Sequence, residues 1–495
     1  MPNNFNLALT IAVLPEAILV VVAGCCALLA GLRPGERPDL YRWMACIALA
    51  GAVAAAALAL FGMRLNKNGV ALVVWGGGLT VDHFSLFITV AVCAFALVTC
   101  FLSDVYIRRV ASRSGAFFAM LLIATAATAA LAAERDMVTL FVTLETLIVS
   151  TTVITALVKT REHSAEAAFK YLVEAGVTSA MLLYGFAILY GVTGSTNLAS
   201  VAAALHRAPA PAALGVALVV LALTFSLGVF PLRQWVGRAA EALPATAAGF
   251  VVTIGITAGA VAWVRVGVTG FGSGVRPWTG LAAVIVAGAL VYTSVAAMRE
   301  HRISRLIGVA ASNQAAFLLL AAISFKGAIT TTPAAGTTAL LFGVAVFGFA
   351  TLAGFALLAM LQSAGIPDGT AELRGLARRS SPAAALLALV LLTLAGVPPL
   401  AGFVARFLAV ESAMAAGYGW LVVVALATTV VSAIAVVRVV VAMFAEPGPE
   451  APFNLTATPR LGRVVAVLCV ACGFLLTFVA QPVLMLARAG AGPLH

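Results

Sequence analysis

Apolar residues along this chain gather into long unbroken runs divided by short polar stretches, and the period-two alternation of a half-buried strand is absent. The runs cover about 9 to 32, 42 to 62, 82 to 107, 116 to 134, 137 to 158, 168 to 190, 211 to 235, 245 to 267, 277 to 298, 303 to 322, 335 to 362, 382 to 413, 417 to 444 and 462 to 488. Nearly all match the roughly 20 residues that a helix needs to cross a hydrocarbon core of about 30 Å, where only internal hydrogen bonds can satisfy the backbone. The pattern predicts an all-α integral membrane protein with about fourteen transmembrane helices. Residues 1–495 then form a single polytopic membrane domain. The first run starts too late and lacks the basic flank of a cleaved signal peptide.

Composition sharpens this. Hydrophobic residues make up 63% of the chain and charged ones 9%, against roughly 25% in a soluble domain, and the mean hydropathy is +1.11. Basic residues sort by side. Loops with Arg33, Arg37 and Arg42, with Arg299, Arg302 and Arg305, or with Arg374, Arg378 and Arg379 alternate with poorer loops holding Arg135, Arg207 or Arg488. By the positive-inside rule both termini lie on the outer side. The same asymmetry accounts for the net charge of +11 without nucleic acid, since cationic loops suit an anionic leaflet. Cys469 and Cys472 form C-x-x-C, but no second pair completes a metal site, so packing is the expected role. Gly76, Gly77 and Gly78 read as a turn, and residues 446–461 as a Pro-rich loop.

Polar groups inside the runs carry more information, because an ionisable side chain at the bilayer centre costs at least about 2.5–3.5 kcal/mol. Glu145 lies deep in the fifth run, roughly 12 Å from its outer end and roughly 20 Å from its inner end. Lys170 and Glu174 in the sixth run are spaced i, i+4, which predicts one face and mutual neutralisation. Arg406 and Glu411 lie in the twelfth. Such charges either fix helix packing or line a wet path. Pro231 near the end of the seventh run and Pro398–Pro399 within the twelfth remove backbone donors, so both helices should be interrupted at membrane depth. Two interrupted helices five spans apart point to inverted five-helix repeats, about 116–267 and 277–444.

Several segments resemble a known family. AAFKYLVEAGVTSAMLLYGFAILYGVTGSTNL (167–198), LPEAILV (14–20), LFVTLETL (140–147), FPLRQWVGRAAEALPATAAGF (230–250), RLIGVAASNQAAFLLL (305–320) and the stretch from Glu372 to Phe407 are similar to the N-type antiporter-like subunit of respiratory complex I. The wider family includes Mrp-type antiporter subunits. The resemblance implies a proton-translocating membrane-arm subunit in a bacterial plasma membrane, with other membrane-arm subunits and the lipid bilayer as partners. It implies no redox site here: NADH, flavin, iron–sulfur clusters and quinone belong to partner subunits, and no metal site is expected. It makes Glu145 the carboxylate that modulates a lysine on the broken seventh helix. That lysine falls on Ser226, the eighth-helix lysine on Ile256, the tenth-helix histidine on Gln314 and the twelfth-helix lysine on Arg406. Arginine stays charged under ordinary conditions, and Arg233 and Arg265, considered as substitutes, share that limit. The expected proton pathway thus keeps Glu145, Lys170, Glu174 and Arg406, with a degenerate relay in the second half. The alternatives are a cation/proton antiporter subunit, a hydrogenase-type or carbon-uptake subunit, or a structural subunit that no longer conducts protons.

Overall fold

Runs this apolar fold as helices because any other backbone would leave bare N–H and C=O groups in hydrocarbon. The computed structural model describes residues 3–32, 38–65, 72–74, 78–103, 114–157, 162–205, 210–271, 276–324, 335–446, 467–468, 470–471 and 480–490. The helices are α1 (Asn3–Leu32), α2 (Pro38–Leu65), α3 (His83–Leu102), α4 (Ser114–Leu131), α5 (Met137–Ala156), α6 (Glu162–Thr193), α7 (Leu198–Leu205), α8 (Pro211–Ser226) and α9 (Gln234–Ala242). They continue as α10 (Ala245–Trp263, extended by a π-helical segment Val264–Phe271), α11 (Arg276–Arg299), α12 (Ile303–Ile323), α13 (Ala335–Ser363), α14 (Leu376–Arg379), α15 (Ser381–Ala395), α16 (Ala401–Ala415), α17 (Gly419–Phe444) and α18 (Ala480–Gly490).

Among the described residues, 11 helices are long and apolar enough to cross a bilayer. The seventh and twelfth runs are each divided, into α8 with α9 and α15 with α16. Of the last run, 462–488, the main described part is α18. Cys469 and Cys472, Gly76 and Gly77, most of the 446–461 loop, and the loop arginines Arg33, Arg37 and Arg207 lie outside the described residues.

One small element stands beside the helices. Strands β1 (Leu72–Val74) and β2 (Leu79–Val81) form an antiparallel hairpin with Val73 opposite Thr80. Three residues per strand are too few to show a period in the sequence. The hairpin is held by its surroundings: the Thr80 amide donates to Ala133 O at 2.7 Å and the Arg135 amide to Gly78 O at 2.9 Å.

Helix α10 is buried along its whole length and α12 at every residue but Arg305, which is why both are apolar round most of their circumference. Peripheral α1, α6 and α17 instead leave large apolar groups such as Val21, Phe169 and Val423 exposed. Polar cross-ties gather at the two ends of the bundle. At the hairpin end they join the hairpin, the α4–α5 turn and α7. At the arginine-rich end, Glu241 of α9 pairs with Arg302 and with Arg305, the latter at 2.5 Å, and the Ser304 amide donates to Asp368 at 2.9 Å.

Candidate functional site

The first helix break starts where α8 ends at Ser226. Gly228 takes φ +67°, a left-handed turn that favours glycine, and the Phe230–Pro231 peptide is cis. The freed carbonyls of α8 find local donors: Gly228 N lies 2.9 Å and Trp235 Nε1 2.7 Å from Phe225 O, and Val229 N 3.1 Å from Thr224 O. Tyr171 of α6 stacks on Phe225 at 5.9 Å and lies 5.7 Å from Trp235. Gly259 of α10 lets that helix touch the break, because a Cβ there would collide with the backbone of Ser226 and Leu227. Ser226 is half-buried, while Ile256 is fully buried and lines the break beside Gly228. Arg233 lies 4.5 Å over the Tyr292 ring.

Glu145 is half-buried on α5 and accepts a hydrogen bond from the Ser179 hydroxyl of α6. The expected Lys170–Glu174 pair does not form. Lys170 Nζ turns to Glu166 at 2.6 Å, an exposed pair one turn nearer the arginine-rich end. Glu174 pairs with Arg238 of α9, across the gap between α6 and the broken helix. The i, i+4 geometry allowed Lys170 either partner, and the guanidinium of Arg238 occupies one of them. Thus Glu166, Lys170 and Glu174 form a charged ladder along α6, with Ser179 and Glu145 beyond it.

The second break is tighter. α15 ends at Gly396 with φ +72°, Pro398–Pro399 is cis, and α16 starts at Ala401. Arg406 of α16 is 3% exposed and reaches back across it. Its Nη2 donates to Leu394 O at 2.8 Å and to Asn313 Oδ1 at 2.8 Å, its Nη1 to Thr429 Oγ1 at 3.3 Å and its Nε to Gln314 Oε1 at 3.4 Å. The guanidinium lies 4.6 Å over Phe317. Gln314 Nε2 donates to the same Leu394 carbonyl at 3.0 Å, and Asn313 Nδ2 to Thr293 Oγ1 at 2.8 Å. Among the described residues no carboxylate pairs with Arg406. Its positive charge is therefore held by neutral acceptors, one of them a carbonyl that the break set free. Glu411 is exposed on the same helix.

Sequence reasoning passed over Ser179, Arg238, Asn313 and Thr293. Ser179 and Asn313 gave no signal beyond being polar inside an apolar run. Arg238 was legible only as a loop charge.

Two proline-broken helices, the second with the buried Arg406 against its break, define a discontinuous-helix architecture of the kind found in membrane transporters. Residues 134–432 match the family described as NADH:quinone oxidoreductase/Mrp antiporter, transmembrane, and the chain belongs to this family. Among its relatives, NADH-quinone oxidoreductase subunit N of Trichlorobacter lovleyi is 26% identical over 92% of both chains. Subunit N 1 of Sorangium cellulosum is 31% identical over 88% of this chain and 87% of its own. Among solved structures, a chain of respiratory complex I from Thermus thermophilus with bound aureothin is 27% identical at a TM-score of 0.78, covering 96% of this chain and 99% of its own. The likeness to a chain of the Mrp complex of Dietzia sp., 19% identical at a TM-score of 0.82 over 98% of both chains, is one of fold.

Proposed function

We propose that this chain is an N-type, antiporter-like membrane-arm subunit of a proton-translocating NADH:quinone oxidoreductase, coupling quinone reduction to proton transport through a degenerate relay. The observation that carries the reading is the similarity to subunit N of Trichlorobacter lovleyi over 92% of both chains. In this reading the arginine-rich end faces the cytoplasm of a bacterium, and the hairpin end, with both termini, faces out. Protons enter along the ladder of Glu166, Lys170 and Glu174 toward Glu145. A nearby cation favours the ionised carboxylate, and withdrawing it favours proton uptake.

Arg406 is the fixed cation of the second half. Gln314, Ser226 and Ile256 do not titrate, so the relay is degenerate there. The redox groups, flavin and iron–sulfur clusters, and the sites for NADH and quinone belong to partner subunits, and this chain binds none of them.

Purification from native membranes tests this directly. Co-purifying redox polypeptides that oxidise NADH and reduce quinone are the expected outcome. Isolation with cation/proton antiporter subunits alone, the second reading favoured by the Mrp-like fold, would overturn it.

A further inference from the structure

The hairpin end holds a buried charge cluster that the two helix breaks do not use. Arg265, with no exposed surface, lies in the π-helical segment that ends α10, a helix form frequent at functional sites. Its Nη2 donates to Asp82 Oδ1 and Oδ2, both at 2.9 Å, and its Nε to Ala132 O at 2.7 Å. The guanidinium lies 4.9 Å over the Phe84 ring. Its Nη1 is buried and has no acceptor among the described residues. Asp82 is further held as the N-cap of α3 by the Ser85 amide at 2.7 Å.

A second carboxylate shares this interior. Glu134, 3% exposed, sits in the α4–α5 turn, feels the charge of Arg265, and accepts a hydrogen bond from the Thr139 hydroxyl. Asp136 and Arg135 flank it in the same turn. Asp136 adds repulsion while accepting from the Val138 amide at 2.8 Å and from the Thr196 hydroxyl. Arg135 senses both Asp82 and Arg265, and burial and the latter's charge lower its proton affinity.

Arg265 thus binds Asp82 directly and, through the Ala132 carbonyl, the turn that carries the buried Glu134. Asp82 and Arg265 together are neutral, so a second negative charge beside them would stand uncompensated in a poorly solvated place. Asp82 accepts from both Arg265 and the cap amide. Among the described residues Glu134 has one hydroxyl donor. It is the acid that sheds its charge, and burial pushes its carboxyl up to about 7. The open Nη1 edge of Arg265 supplies the alternative: a guanidinium turned toward Glu134 stabilises its ionised form.

We propose that Glu134 is a proton-exchange site at the hairpin end, loaded while Asp82 holds Arg265 and discharged when Arg265 turns its free edge to Glu134. The discharge breaks the carboxylic O–H bond, sends the proton to bulk water, and leaves a carboxylate balanced by Arg265; no electrons move. Only its direction, toward the outside, rests on the function proposed above. The site lies beyond the first residue of α5, the helix that carries Glu145 eight residues, about 12 Å, further in.

Infrared difference spectra of the purified native assembly, titrated across neutral pH, test it whatever redox partners accompany the chain. The expected result is a carboxylic-acid carbonyl band that titrates near neutrality and vanishes in Glu134→Gln, a substitution that mimics the loaded form. In Asp82→Asn, which frees Arg265, the midpoint should fall at least tenfold in proton affinity. The conservative Arg265→Lys, which lacks the second N–H edge, should keep the band and shift its midpoint. A band unchanged in Glu134→Gln would overturn the proposal. So would an unmoved midpoint in both Asp82→Asn and Arg265→Lys.

Discussion

Arg406 illustrates how one buried side chain can trade chemistry for architecture. A guanidinium is a poor proton carrier, yet its fork reaches the freed Leu394 carbonyl, Asn313, Gln314 and Thr429 at once. Arg406→Met removes those donors and orphans Asn313 Oδ1. The expected loss is about 1–3 kcal/mol for that acceptor alone, read as a lowered melting midpoint of the detergent-solubilised assembly. Glu134 gives a pH signature of definite sign. Its carboxyl rises from an ordinary 4.5 to about 7 in the folded chain, so between those values the folded state holds a proton that the unfolded state lacks. Stability then falls as pH rises through that window and levels off above it, by up to about 3 kcal/mol. The melting midpoint should accordingly drop from about pH 5 to about pH 8, and drop less in Glu134→Gln.

At the scale of elements, the breaks depend on close helix contact as much as on proline. α10 passes the first break with Gly259 against the backbone of Ser226 and Leu227. Gly259→Ala must push α8 or α10 aside, an overpacking cost of about 1–3 kcal/mol. Gly176, on the open face of α6, has nothing within 4 Å among the described residues, so Gly176→Ala should be neutral or mildly stabilising. Comparing thermal inactivation of the two variants separates contact at the break from a general effect of filling glycine. Helix α9 is the other joint. It is tied to α6 through Arg238–Glu174 and to α12 through Glu241 with Arg302 and Arg305, so the inner half of the broken helix bridges the two halves of the chain.

For the whole molecule, the charged groups divide unevenly. The first half holds protonatable groups at depth, Glu145 with Glu174 and Lys170 nearby, whereas the described part of the second break holds a fixed cation among amides and hydroxyls. Glu145→Gln should therefore lower the proton-to-electron ratio of the assembly in sealed vesicles without lowering quinone reduction. Gln314→Leu should leave that ratio unchanged while destabilising the break. A ratio that drops in Gln314→Leu and holds in Glu145→Gln would reverse this division.

The sequence alone determined the helical membrane class, the gathering of arginines in alternate loops and the places where two helices break. These follow from local causes: apolar run length, the missing N–H of Pro231, Pro398 and Pro399, and loop charge. Family resemblance further marked Ser226, Ile256, Gln314 and Arg406 as altered positions. Only the tertiary structure decided which charges meet. Glu174 finds Arg238 across 64 residues of chain and Arg265 finds Asp82 across 183, while Lys170 turns back to Glu166. Spacing within one helix states which partners are within reach. Which one is taken depends on the helix that packs alongside, and that is settled by shape and burial along the whole contact.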